Sequence, residues 1–129
     1  MVEQRTHEGT SERHVGRPVT IEDGRAVVEL ETTEEMAVDE HDLVHGGFVF
    51  GAADYAAMLA VNEPTVVLVG AETSFTAPST VGDTVRATAT VEEDADGIVV
   101  ECAVETVEEG ERLMTGSFEC AVPSEHVLA

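Results

Sequence analysis

The sequence predicts an α+β domain in which one long helix is wrapped by a curved antiparallel sheet of five to six strands. Three observations carry this. Residues 46–62 form one Ala-rich apolar run, longer than a typical strand and apolar on nearly every face. A hairpin pattern precedes that run, and a series of alternating segments follows it. The 129 residues suffice for one core and not for two.

Taken in order, residues 1–16 are polar and aperiodic and read as a flexible arm, with at most a short helix. Residues 17–123 read as the single domain, and 124–129 as a tail. Val19 and Ile21 alternate with polar neighbours, Asp23-Gly24 supplies a tight turn, and Ala26, Val28 and Leu30 alternate again. Residues 32–44 are a loop of acidic and small residues. The apolar run then gives a helix of about four turns, ended by Glu63-Pro64. Val66 to Thr76 opens as a continuous apolar stretch and reads as a central strand. Three alternating strands follow, with Val85-Ala87-Ala89-Val91, Val100-Cys102-Val104 and Met114-Gly116-Phe118-Cys120 facing inward. Asp96-Gly97 and Glu109-Gly110 mark the turns between them. A sheet wrapped round one helix leaves an edge, and pairing that edge with another copy is the usual remedy, so a homodimer or a dimer-of-dimers tetramer is expected.

Charge excludes several partners. The chain carries 27 Asp plus Glu against 6 basic residues, all Arg, for a net charge of -21. Such a surface repels phosphate backbones and anionic headgroups, so neither nucleic acid nor a membrane surface is expected as a partner. The periodic apolar residues argue against disorder. An acidic coat without Lys resembles the cytosolic proteins of salt-loving archaea, where molar salt shortens the Debye length to about 3 Å and screens the self-repulsion. No N-terminal segment has secretory order, so a cytoplasmic location is expected. Cys102 and Cys120 read as buried thiols, too few for a disulfide framework or a zinc site. His7, His14, His41 and His126 lack metal-ligand spacing and read as surface residues; no metal or cofactor is expected.

The residue that stands out is Asp54, the only charge in the apolar helix. A lone carboxylate there needs a partner, a hydrogen bond or a cavity. His45-Gly46-Gly47 opens the same helix, where unpaired N–H groups and the helix dipole favour an oxyanion and Gly lets a ligand approach. Gly47 and Asp54 are two turns apart, about 10 Å along the axis. They would face one groove within a chain or meet across a dimer interface, and the spacing leaves both open.

The segment from Val44-His45-Gly46-Gly47 through Asp54-Tyr55-Ala56, with the later Phe75-Thr76-Ala77-Pro78-Ser79-Thr80-Val81-Gly82-Asp83, resembles the hot-dog-fold acyl-CoA thioesterases of the phenylacetate-degradation type. The resemblance spans roughly residues 18–122. It implies hydrolysis of an acyl-CoA thioester with no cofactor beyond the CoA of the substrate. Asp54 would be general base or nucleophile, the Gly47 N–H would polarise the carbonyl, and His45 would orient substrate or water, or hold the loop. Gly46 would let the substrate approach. Asp39 stands where relatives often have Asn contacting water or carbonyl, and Asn62 stands at the helix end as it often does in that family. Phe48, Tyr55, Met58 and Phe75 would line the acyl groove. Thr73 or Ser74 are candidates for holding the water. Ser79 and Thr80 are candidates for the CoA phosphates, since Arg86 and Arg112 are the only cations of the strand region after the helix and Arg86 falls on a polar face. Two alternatives stay open: a non-catalytic acyl-CoA-binding module on the same fold, and an acyl-CoA hydratase. No Gly-x-Ser-x-Gly elbow and no phosphate-binding Gly-Lys loop is present.

Overall fold

The computed structural model describes residues 1–94 and 97–129. The element order is α1 (Glu12–Val15), β1 (Arg17–Glu22), β2 (Arg25–Glu31), a 3-10 turn (Glu34–Met36), α2 (Gly46–Val61), β3 (Val67–Phe75), β4 (Thr84–Asp94), β5 (Gly97–Thr106) and β6 (Arg112–Ala121). The strands form one antiparallel sheet in the order β1-β2-β4-β5-β6-β3, with α2 packed against it. This is the hot-dog layout expected, and the expected turn residue Asp96 lies outside the described residues.

Helix α2 is central because its small residues let strands approach on most sides. Ala52, Ala53 and Tyr55 to Ala60 are all buried, against Val28, Leu30, Val85, Ala87, Val100, Val104 and Phe118 from the sheet. Its C-terminus is set by Asn62, which adopts the left-handed conformation (φ 52°) and so stops the helix. The inward sets of β4, β5 and β6 are as the alternation predicts, and both cysteines are buried and free.

The placement of β3 corrects the sequence reading. This strand is not central. Its only partner among the described residues is β6, so it forms an edge, and Val69 and Phe75 are more than half exposed. The apolar run is only partly covered at its start, where Val66 is buried and Val67 and Leu68 are half-buried. A register shift between Leu68 and Gly70 then turns the remainder outward.

The N-terminal arm also differs from the loose segment expected. Arg5 N–H donates to Asn62 Oδ1 at 2.8 Å, and Asn62 Nδ2 donates to the Glu3 carbonyl at 2.8 Å. Gln4 Nε2 donates to the Tyr55 hydroxyl at 3.1 Å, and Thr6 is buried. The arm is therefore strapped across the C-terminal half of α2, next to Asp54.

Candidate active site

Asp54 sits on α2 with Met58 one turn further on, and both line a pocket of about 470 Å³. Its other walls are Thr6, His7, Gly9 and Thr10 from the arm, Pro64 to Leu68 leading into β3, and His126 and Val127 near the C-terminus. Asp54 Oδ1 is buried with no hydrogen-bond partner among the described residues. Burial pushes the Asp54 carboxyl above the usual carboxylate range, and the nearby His7 ring partly offsets this. The effect runs both ways: burial holds His7 below the usual imidazole value, while the Asp54 charge draws it up. Asp54 also acts across the core on two thiols. Burial, with the Asp54 charge adding to it, pushes Cys120 up to about 11. Cys102 is raised further, first by burial and then by Cys120, Glu101 and Asp54. Burial thus raises both thiols and the carboxyl, and lowers the imidazole.

The helix N-terminus is built differently from the expectation. His45 is the N-cap, and its Nδ1 accepts the Gly47 N–H at 2.7 Å. The donor assigned to the substrate carbonyl is thus engaged by the residue beside it. A Cβ at Gly47 would fall 2.8 Å from that ring, so Gly is what allows the cap to close. Neither His45, Gly46 nor Gly47 lines the Asp54 pocket. Within one chain the two halves of the constellation do not line the same pocket.

With this geometry in view, residues 41–115 match the Thioesterase superfamily, more than half of the chain. The chain belongs to that family. Among solved structures, an uncharacterized protein of Pyrococcus horikoshii is 56% identical with a TM-score of 0.95, covering 99% of this chain and 98% of that one. A curated relative from Aquifex aeolicus, named methylthioribose-1-phosphate isomerase, is 50% identical over 101 residues, which is 76% of this chain. The present chain spans only 22% of the length of that relative. At the level of fold alone, a Streptococcus mutans protein whose crystal structure holds acetyl CoA is 19% identical, with a TM-score of 0.78 over 93% of this chain and 97% of that one.

The remaining candidates of this thioesterase-superfamily domain are dispersed. Met58 is the one expected acyl-groove residue that lines the Asp54 pocket. Tyr55 is buried in the core and tied to Gln4, and Phe48 packs near the rings of His14 and His45, each at 6.2 Å. Phe75 is exposed and lies against the helix start, its Cε1 3.4 Å from where a Cβ on Gly46 would be. Asn62 is fully occupied by the arm. Exposed Asp39 accepts from the His41 and Leu43 N–H groups through Oδ1, which makes it a turn residue. Thr73 packs over Gly116, away from the pocket. Ser79 is buried and donates to Asp83, while Thr80 lines a recess with Asp83, Glu108, Glu109 and Glu111. Four carboxylates make that recess unfavourable for a phosphate. Arg86 is not a free cation either: it donates two hydrogen bonds, at 2.8 and 3.0 Å, to Oε2 of Glu29, which stands directly opposite it on β2.

Sequence reasoning missed His7, Thr6 and the Val66–Leu68 wall. The strand-start residues were legible as apolar, but nothing in their pattern placed them beside Asp54. His7 had no legible signal, because its proximity to Asp54 is produced by hydrogen bonds between the arm and α2.

Proposed function

We propose that this chain hydrolyses an acyl-CoA thioester, with Asp54 as general base. The observation that carries the reading is Asp54 itself. A carboxylate of raised pKa, with one oxygen buried and unpartnered, opens into a sizeable pocket on the central helix of a thioesterase-superfamily domain. Burial that raises a carboxylate makes it a stronger base once ionised. Asp54 would take a proton from water as the water oxygen bonds to the acyl carbon. The C–S bond then breaks, and the CoA thiolate leaves and takes up the proton. The acetyl CoA held by the Streptococcus mutans fold relative supports CoA as the carrier, and the two sequence segments quoted above support the phenylacetate-degradation type.

The developing oxyanion needs a donor, and the α2 N-terminus is the best-suited one. It lies outside the Asp54 pocket of its own chain, so in this reading a second copy supplies it. The exposed edge of β3, with Val69 and Phe75, is the surface for that pairing. Gly47 becomes available when the His45 ring turns off its N–H. The acidic, Lys-free composition supports a salt-rich cytoplasm as the setting.

The test is release of free thiol from acetyl-, medium-chain and aromatic acyl-CoAs in molar KCl. Turnover of at least one member is expected, and it names the acyl class. No turnover by folded, oligomeric protein would move the reading to a binding module.

A further inference from the structure

Thr6, His7, Gly9 and Thr10 of the arm form one wall of the pocket that holds Asp54. That wall is held from both ends. Before it, the Val2 N–H donates to the Ile21 carbonyl at 2.8 Å, the Asn62 amide grips Glu3 and Arg5, and Thr6 is buried. After it, α1 packs against α2 with Val15 on the core. Within it, Gln4 Nε2 donates to the Thr6 and His7 carbonyls at 3.0 and 3.3 Å, and Thr10 Oγ1 donates to the His7 carbonyl at 3.2 Å. These ties pre-organise the wall before any ligand enters.

Gly9 differs from its neighbours in this wall. Its φ lies outside the left-handed region that favours glycine, and a Cβ on it would meet no atom within 4 Å. Neither the backbone conformation nor a close approach therefore requires glycine here. What the missing side chain provides is room at the pocket wall. The pocket of about 470 Å³ falls in the range of about 300–1,000 Å³ usual for small-molecule sites. Its lining includes the apolar Met58, Val66, Val67, Leu68 and Val127, and no arginine is among the described residues that line it. An uncharged acyl chain suits that lining, and the phosphates of CoA do not.

We propose that Gly9 is a specificity-determining residue of the Asp54 pocket: the room left by its missing side chain takes the far part of the acyl group and so sets how large an acyl group fits. The role rests on the reading of this pocket as the acyl-CoA site.

The test places Gly9→Val and Gly9→Phe in the full chain. Val is stiff at χ1 and cannot swing its bulk away, and Phe adds a larger side chain. Gly9 is exposed and has no close neighbour, so both variants should unfold at the wild-type temperature. The probes are three thioethers that cannot be hydrolysed, S-ethyl-CoA, S-hexyl-CoA and S-phenethyl-CoA, with Kd measured by titration calorimetry in molar KCl. In both variants the Kd for the hexyl and phenethyl compounds, relative to that for the ethyl compound, should rise about tenfold or more. Ratios that match the wild type overturn the inference, whether the affinities are unchanged or all fall together; the second case would put Gly9 beside the CoA arm instead. Failure of the wild type to bind any of the three also overturns it. The two readings fail separately, because thioether binding decides the role of Gly9 even if no acyl-CoA is turned over, whereas absence of turnover with normal thioether binding overturns the hydrolase reading alone.

Discussion

At the scale of single residues, Asp54 has a buried oxygen without a hydrogen-bond partner among the described residues, and the proposed function rests on it. Its folded-state pKa is raised, so between the unfolded and folded values the native state binds more protons than the unfolded chain. Stability therefore falls as pH rises through that window, and the cost is fully present above the folded value. Asp54→Asn should accordingly raise Tm by a few degrees at neutral pH, with the gain shrinking as pH falls through the folded pKa; calorimetry across pH checks this. If Asp54 acts as a base and not as a nucleophile, it passes no oxygen of its own to the product. A single turnover in oxygen-18 water should label the released acid in the first cycle, and an unlabelled first product would show an acyl-aspartyl intermediate. Gly16 is a residue of a different kind. At φ 93° a Cβ there would lie 2.5 Å from the Glu29 carbonyl oxygen, a backbone atom that cannot swing away. Gly16→Ala should destabilise by about 3 kcal/mol in urea unfolding.

Among the elements, β3 and the arm are the two on which the proposed site depends. Among the described residues only one side of β3 is hydrogen-bonded to another strand, and Val69 on it is exposed. If this edge joins two copies, Val69→Lys should convert the dimer to monomer in light scattering and remove turnover, though Val69 does not line the Asp54 pocket. The arm hangs on Asn62, whose amide holds Glu3 and Arg5 together. The same elements show what sequence can and cannot reveal. The hairpin at Asp23-Gly24 and the limits of α2 were legible because turn chemistry and helix period are local signals. That β3 is an edge was not, since an apolar run looks alike whether one face or two are covered. The engagement of Gly47 by His45 depends on a ring orientation, and the approach of His7 to Asp54 on a tertiary strap; neither leaves a pattern in the chain.

Over the whole molecule, a net charge of -21 on 129 residues sets the conditions under which the fold is stable. Cross-strand pairs such as Arg86–Glu29 are already counted in that net value and do not reduce it. Raising KCl from about 0.1 to 1 M shortens the screening length from about 10 to about 3 Å, so Tm should climb over that range; a flat Tm would show that self-repulsion contributes little. The fold places the half-buried carboxylate of Asp54, with its Oδ1 buried, on the wall of a pocket. The most direct test is kcat/KM for thiol release in molar KCl, on the best acyl-CoA of the panel, by wild type and by Asp54→Asn. A loss of about 10² to 10⁴-fold in a variant that stays folded and binds the substrate is the predicted result. Equal rates in the two proteins would contradict it.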